Sequence, residues 1–327
     1  MKKTKPQIIL TLCVSSNSKK HTDVQQDKSP KVKKEATYEV SVTKNVLYAE
    51  GLKHTSINSA DCVRKPLKLD IYEPENKKKN RPAYMFIHGG SFINGSKEQE
   101  EIIHLAHYYA SRGWVFISID YRLQEDFGTV PEAWIAHARE IPVAYISQFL
   151  AMYPAQRDAK AAMRWLVSNA KVYGINKKYI TVGGGSAGAI TAISVAISND
   201  EHFRDEIDLS QDTTLSTTYR DQSYVVHSII DYWGSKIALD FLEKIYGKQS
   251  FDHKKPPLLI VHGTEDSAVP YSHAQALKSM YDAKSAPVAY YPIPEGGHDP
   301  WDATVGYKRI EALAFDFIVN HQKLTIV

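Results

Sequence analysis

Ser186 is the side chain in this sequence whose surroundings best suit covalent chemistry. It stands in the pattern G-x-S-x-G, with Gly184 before it and Gly188 after it, between an apolar run at 179–182 and a run of small apolar residues at 189–198. Such a serine is typical of a sharp strand-to-helix turn that exposes the hydroxyl, and glycines are needed where strand and helix pass too close for side chains. A hydroxyl is a weak nucleophile without a base, so the pattern alone could equally be a plain tight turn.

Two later apolar runs end in groups that could activate this hydroxyl. Residues 257–261 lead to Asp266, and residues 288–293 lead to His298. In acyl transfer a serine attacks the carbonyl, a histidine takes its proton, and an aspartate holds the histidine in the required tautomer. The chain order serine, aspartate, histidine is one in which such triads occur. We therefore predict Ser186 as nucleophile, Asp266 as orienting acid and His298 as general base.

Neighbouring groups offer alternatives for the acid and the base. Glu265 precedes Asp266 and could be the acid instead, although the loop pattern favours Asp266. His88 and His262 could be rivals for the base. Each precedes a glycine in a tight turn, so we expect both histidines to satisfy backbone hydrogen bonds rather than to accept a proton from the serine.

The elements that must position these groups form an α/β pattern. Apolar strand-like runs alternate with helical patterns from about residue 38 onward, which predicts a mostly parallel central sheet with helices on both faces. Active sites in such sheets lie at the carboxyl ends of the strands, and each candidate group directly follows an apolar run. We also expect Asp120 and Arg122, which follow the run at 114–119, to form a structural pair beneath the site.

A long connection interrupts the alternation at about 124–156. It is rich in aromatic residues and contains Pro131, Pro142 and Pro154. Because it is too long for a plain connection, we predict a lid inserted over the site. Its aromatic side chains could line an acyl pocket or could equally form the core of the lid. These side chains are Trp134, Tyr145, Phe149 and Tyr153.

Composition and charge limit the class of protein. The chain has 327 residues, 43% of them hydrophobic and 24% charged, and its mean hydropathy is −0.36, which indicates a globular body. Residues 1–34 hold nine lysines and two aspartates, so the net charge of this segment is +7. The whole chain has a net charge of +3, so residues 35–327 have a net charge of −4. The folded part therefore gives no sign of a nucleic-acid partner. The two cysteines, Cys13 and Cys62, have no metal-binding or redox spacing.

The first 34 residues have the layout of an export signal followed by a linker. A basic start precedes an apolar run at 8–14 that contains Cys13, and residues 15–34 are polar. This layout resembles a bacterial lipoprotein signal, although Leu12 stands where a small residue is the rule. We predict an exported protein, in the periplasm or at the cell surface, with membrane attachment only through a lipid on Cys13. The alternative is a disordered tail on a cytoplasmic protein. The folded domain is then predicted at 35–327.

Taken together, these motifs resemble the α/β-hydrolase superfamily, and within it the bacterial carboxylesterase and lipase branch near the hormone-sensitive-lipase-like and polysaccharide-esterase groups. The resemblance extends from about residue 38 to the C-terminus. The motifs that carry it are 69–72, 88–92, 120–123, 158–166, 184–188, 262–270 and 297–298. The chain departs from the usual pattern at Ser91, where a third glycine is common, at Gly185, where many relatives carry an acid, and at Ala189, where glycine is common.

The resemblance implies a serine carboxylic-ester hydrolase that forms an acyl-enzyme. The backbone N–H groups of Gly90, Ser91 and Ala187 are then expected to stabilise the oxyanion, each by about 3 kcal/mol. Neither a metal nor an organic cofactor is expected. The implied substrates are short-acyl, acetyl or feruloyl esters, either small or linked to a polysaccharide. A serine peptidase or amidase on the same fold is the alternative, and the oligomeric state stays open.

Overall fold

The computed structural model describes residues 28–248, 251 and 255–327. Within these residues the chain forms a mixed sheet flanked by helices, with two small accessory strand pairs. The strands in chain order are β1 (Lys31–Val32), β2 (Val40–His54), β3 (Cys62–Pro74), β4 (Arg81–Ile87), β5 (Val115–Ile119), β6 (Ile175–Gly185), β7 (Ser228–Tyr232), β8 (Leu258–Gly263), β9 (Val288–Ile293), β10 (Thr304–Val305), β11 (Lys308–Arg309) and β12 (Thr325–Ile326).

The central sheet is mostly parallel, as predicted. Eight of the described strands form it in the order β2-β3-β5-β4-β6-β7-β8-β9. The strands from β5 to β9 in this order run parallel, and only β2 and β3 are antiparallel to their neighbours. Every residue of β4 is buried, because a central parallel strand is covered on both faces and therefore reads as a continuous apolar run.

Helices cover both faces of this sheet. They are α1 (Glu100–Ala110), α2 (Glu132–His137), α3 (Ile146–Asn169), α4 (Ala187–Ile197), α5 (Ile237–Tyr246), α6 (Ser272–Asp282) and α7 (Ile310–Gln322). One hydrophobic core joins the sheet to α3, α4, α5 and α6, and a second joins its other face to α1 and α7. The predicted arrangement of helices on both faces is confirmed.

The folded body includes residues that the sequence assigned to the linker. β1 pairs in parallel with β12 at the other end of the described chain, and Val32 is completely buried. The prediction of a linker through residue 34, with the domain at 35–327, is therefore wrong at its boundary, because β1 is part of the body. Residues 1–27, with Cys13 and the export-signal layout, lie outside the described residues, so those predictions stay predictions. None of the helices described combines the length and apolar character needed to span a bilayer.

The long connection has a different extent from the predicted 124–156. Residues 124–145 form α2 and three short 3-10 turns, whereas residues 146–156 are the first part of α3, which continues through Pro154. Trp134 stacks on Phe149 with ring centres 4.8 Å apart and donates its indole N–H to the Phe149 carbonyl. Both rings and Tyr153 are buried. These aromatic residues therefore form a local core, and a lid role for the segment stays a prediction.

Candidate active site

Ser186 occupies a strained turn between β6 and α4. Its backbone has φ 54° and ψ −122°, a region that non-glycine residues rarely adopt. A Cβ atom at Gly188 would lie 2.0 Å from the Ile87 carbonyl oxygen, and one at Gly184 would lie 2.2 Å from the Gly188 carbonyl carbon. The G-x-S-x-G spacing is thus required by close backbone approach, and it places the hydroxyl at the carboxyl end of the sheet.

The three predicted polar groups meet at this edge. His298, in the loop after β9, lies with Nε2 3.0 Å from the Ser186 Oγ and with Nδ1 2.8 Å from the Asp266 Oδ2. The other carboxylate oxygen of Asp266 accepts the backbone N–H groups of Ala268 and Val269 at 2.9 and 2.8 Å. The carboxylate is therefore fixed from one side and faces the imidazole with the other. The imidazole can accept the hydroxyl proton while the carboxylate accepts the N–H of Nδ1.

The alternative acid and bases do not join this relay. Glu265 is exposed, whereas Asp266 is buried. His88 donates Nδ1–H to the Gly89 carbonyl at 2.7 Å, and burial lowers its pKa to about 4. Nε2 of His262 bonds the Val269 carbonyl at 2.8 Å, and burial lowers the pKa of this histidine too. The expectation that both histidines serve the backbone is confirmed.

His262 has a contact with the acid that sequence reasoning missed. Its Nε2 also lies 3.3 Å from the Asp266 Oδ2, on the oxygen that faces His298. The ring therefore helps to fix the carboxylate. The contact could have been predicted from the position of His262, which directly follows an apolar strand and stands four residues before the acid.

The predicted oxyanion donors lie on two segments that meet at Ser186. Gly90 and Ser91 have φ 108° and 56°, and a Cβ atom at Gly90 would lie 2.2 Å from the Asn94 carbonyl oxygen. This loop approaches the serine closely, since a Cβ atom at Gly89 would lie 3.3 Å from the Ser186 Cβ. Ala187 begins α4, where a backbone N–H has no partner within the helix.

A buried lysine anchors the far end of this loop. The ammonium of Lys97 lies 3.3 Å from an Asp70 oxygen and 3.6 Å from an Asp120 oxygen. Its backbone N–H donates to the other Asp120 oxygen at 2.8 Å, and its carbonyl accepts the Ser118 hydroxyl. This role was not apparent before the fold was known, because a lysine in a polar loop resembles an ordinary surface residue.

The predicted pair of Asp120 and Arg122 is wrong. Asp120 faces Lys97, whereas the Arg122 guanidinium is buried on the other side of the chain and makes a forked contact with Asp158 at 2.6 to 3.2 Å. Arg157 and Arg122 lie 3.4 and 3.9 Å from an oxygen of Asp212. A buried guanidinium needs compensating charge, and helix α3 supplies it. We call Arg122, Arg157, Asp158 and Asp212 the arginine cluster.

Two tryptophans explain the glycine that precedes the serine. A Cβ atom at Gly185 would lie 3.3 Å from the Trp301 ring and 3.4 Å from the Trp233 Nε1. The Trp233 ring lies 4.8 Å from Trp301 and 6.4 Å from His298 between ring centres. The space into which an acidic side chain would extend is therefore filled by indole rings. This packing was not apparent from the sequence.

Asp231 is a buried acid beneath the turn. It lies on β7, paired in register with Gly184, and one of its oxygens accepts the Gly234 N–H at 2.7 Å. The other oxygen has no partner among the described residues. Burial raises the pKa of Asp231 to about 7, because the charged form loses its hydration.

Within the described part of the chain, no group of three or more histidine, cysteine, aspartate or glutamate side chains could hold a metal ion.

Comparisons with known proteins agree with this arrangement. The family model described as BD-FAE matches residues 69–135 and 140–250, together more than half of the chain. Esterase LipC of Mycobacterium tuberculosis is 24% identical over 255 residues, which cover 70% of this chain and 56% of LipC. Esterase LipQ of the same organism is 25% identical over 282 residues, covering 76% and 58%. The chain thus spans somewhat more than half the length of these relatives.

Solved structures share the fold. An esterase from Thermogutta terrifontis with propionate bound superposes with a TM-score of 0.58 at 21% identity, covering 87% of this chain and 94% of that one. A truncated carbohydrate esterase from gut microbiota gives a TM-score of 0.56 at 21% identity, covering 90% and 100%. At this level of identity the likeness shows the α/β-hydrolase fold.

Proposed function

Because the chain belongs to the BD-FAE family of α/β-hydrolases, we propose that it hydrolyses carboxylic esters through a covalent acyl-enzyme on Ser186. The observation that carries the proposal is the position of the His298 imidazole, which reaches the Ser186 hydroxyl with one nitrogen and the Asp266 carboxylate with the other. The curated relatives that are named esterases support the reaction class.

The proposed mechanism follows from these contacts. Ser186 Oγ attacks the ester carbonyl carbon while His298 Nε2 takes its proton. The carbonyl oxygen becomes negative and is stabilised by the N–H groups of Gly90, Ser91 and Ala187. The C–O bond to the alcohol then breaks, and the alcohol leaves with the proton held by the imidazole. Water enters and repeats the sequence, which releases the acid and restores the Ser186 hydroxyl.

Asp266 acts through the imidazole in this scheme. Its carboxylate accepts Nδ1–H, so that the lone pair of His298 stands on Nε2, facing Ser186. The charge of Asp266 also stabilises the imidazolium that forms after proton transfer. The backbone donors at Ala268 and Val269 keep the carboxylate from turning away.

We propose short-acyl, acetyl or feruloyl esters as the substrate class. Support comes from the family and from two proteins of like fold, one an esterase described with propionate bound and the other a carbohydrate esterase. A chain-length series of p-nitrophenyl esters, run beside acetylated xylan and methyl ferulate, tests this class. A matched p-nitroanilide series tests the peptidase or amidase alternative, which predicts cleavage of the anilides at comparable rates.

The reaction itself is tested with Ser186→Ala. We expect hydrolysis of p-nitrophenyl acetate to fall by at least about 10⁴-fold, because the nucleophile is lost. Ser210→Ala, at an exposed serine in another part of the chain, is the matched control and should keep the full rate. Thermal unfolding of both variants checks that they fold. A folded Ser186→Ala protein that retains the parent rate would overturn the proposal.

A further inference from the structure

The edge of the sheet opposite the catalytic groups carries a concentration of positive charge. An open groove of about 860 Å³ lies there, at the amino ends of β4 and β6. We call its cationic lining the basic edge. The basic edge consists of Lys28, Lys79, Lys171, Lys177 and Lys178. An adjoining depression shares Lys28 and Lys79 with the groove and adds Lys31, Lys78 and Arg81.

This charge contrasts with the balance of the body as a whole. Residues 28–327 carry a net charge of zero, because Lys28, Lys31, Lys33 and Lys34 offset the −4 of residues 35–327. Neither the groove nor the adjoining depression has an aspartate or glutamate among its described lining residues. Lys28, Lys79, Lys171 and Lys177 are all exposed. Arg81 is paired with Glu73 at 2.8 Å, so the positive charge of this face rests on the exposed lysines, and such a local concentration favours an anionic surface as partner.

Hydrogen bonds join the segments that line the groove. The Asn80 amide donates to the Lys28 carbonyl at 2.7 Å, and the Asn176 amide donates to the Asn80 side-chain oxygen at 2.7 Å. The Arg81 N–H donates to the Gly174 carbonyl at 2.9 Å. These hydrogen bonds link the segments that carry Lys28, Lys79 and Lys177 to one another.

The position of the N-terminal segment indicates which anionic surface this is. The described chain begins at Lys28, on the wall of the groove, so the preceding 27 residues, with their basic start and apolar run at 8–14, join the body at this edge. Val172, next to Lys171, exposes 76% of its surface and adds an apolar contact. An apolar anchor combined with adjacent lysines is the two-signal arrangement that holds proteins on anionic membranes.

We propose that the basic edge docks on the anionic lipid headgroups of a membrane surface. Docking there directs the catalytic edge away from the bilayer, since the seven residues of β4 alone separate the two edges by roughly 23 Å at 3.3 Å per residue. The active site would then face substrate in the surrounding solution. This proposal is independent of the reaction that Ser186 performs.

The test measures binding of the full chain to vesicles. One set is pure phosphatidylcholine and the other contains about one-third phosphatidylglycerol, a typical anionic lipid. We expect tighter binding to the anionic set at about 0.1 M salt, and loss of this preference at about 1 M, where the Debye length falls to about 3 Å. The difference between the two sets isolates the charge contribution from any apolar anchoring.

A triple variant, K79Q/K171Q/K177Q, locates the effect. Each lysine near a membrane surface contributes about a fivefold factor in affinity, so the anionic preference should fall by up to about a hundredfold. The matched control is K236Q/K278Q/K308Q, which removes the same charge from three lysines that each pair with a surface aspartate elsewhere. The control should lose much less of the preference. Thermal unfolding and ester hydrolysis verify that both variants are intact.

Three outcomes would overturn the proposal. The first is equal binding of the full chain to both sets of vesicles at low salt. The second is a triple variant that binds anionic vesicles as tightly as the control variant does. The third is retention of the chain by a polyuronate or by duplex DNA, lost in the triple variant, without any preference between the vesicles; that result would assign the basic edge to a soluble polyanion instead.

Discussion

The proposed catalytic groups, Ser186, Asp266 and His298, and the arginine cluster both contain buried ionisable side chains, but the two regions differ in how fully these are enclosed. In the arginine cluster Arg122 is held by both oxygens of Asp158 and by the Leu52 carbonyl, and its guanidinium is almost unexposed. At the catalytic edge the His298 side chain keeps 20% of its surface exposed. The hydroxyl of Ser186 has the imidazole as its partner and lies on a strained backbone.

The degree to which the side chains are enclosed distinguishes the proposed catalytic groups from the structural ones more clearly than residue type does. Aspartate, paired with a cation or an imidazole, occurs in both regions. In the arginine cluster the charges are matched and enclosed, so removing one leaves an uncompensated charge. At the catalytic edge one partner is accessible and can exchange its hydrogen bond for a substrate. The same substitution, aspartate to asparagine, should therefore have opposite consequences in the two places.

The largest effect is expected for Asp266→Asn. An amide at this position can donate to Nδ1, which favours the tautomer with the proton on Nε2 and removes the acceptor for the Ser186 proton. We expect ester hydrolysis to fall by about 10⁴-fold with little change in the unfolding midpoint, measured by steady-state kinetics and urea titration. Full activity in a folded variant would contradict the assigned orienting role.

The complementary change is Asp158→Asn. It leaves the Arg122 guanidinium with only the more distant Asp212 charge, 3.9 Å away. We expect the free energy of unfolding to fall by about 3 kcal/mol, while the rate per folded molecule stays near that of the parent. If this variant instead loses activity at unchanged stability, the distinction drawn between the two regions is wrong.

A smaller, pH-dependent effect is expected at Asp231, which is buried like the arginine cluster but lies beneath the turn that holds Ser186. Its pKa is raised to about 7 in the folded state and is ordinary, near 4, in the unfolded chain. The folded state therefore binds an extra proton between these values, so this residue's contribution to stability declines as the pH rises toward 7. Asp231→Asn removes that decline.

The measurement for Asp231 is a difference between variant and parent. The stability of Asp231→Asn relative to the parent should be about 2 to 3 kcal/mol more favourable at about pH 8 than at about pH 5. Urea unfolding at both pH values provides it. An equal difference at the two values would mean that the carboxylate titrates normally in the folded protein.

What could be predicted from the sequence depended on local patterns. Ser186, Asp266 and His298 each follow an apolar strand directly, so the topology of a parallel sheet was enough to bring them to one edge. The strand β4 is recognisable as a continuous apolar run because it is buried on both faces.

The missed features depend on contacts between distant segments. Arg122 pairs with Asp158 across 36 positions, and no periodicity links them. The two-residue strand β1 is recognisable only through its pairing with β12. The indole rings beside Gly185 come from loops whose direction is set by packing rather than by any turn motif.

The positive φ angle of Ser186 has a consequence for the stability of the folded protein. Glycine adopts that conformation without the steric cost that a serine bears. If stability alone determined the residue at position 186, glycine would be favoured there. Serine at this position therefore makes the protein less stable than glycine would. This loss of stability in return for a reactive hydroxyl is the stability–activity trade-off expected if Ser186 is the nucleophile, as proposed above.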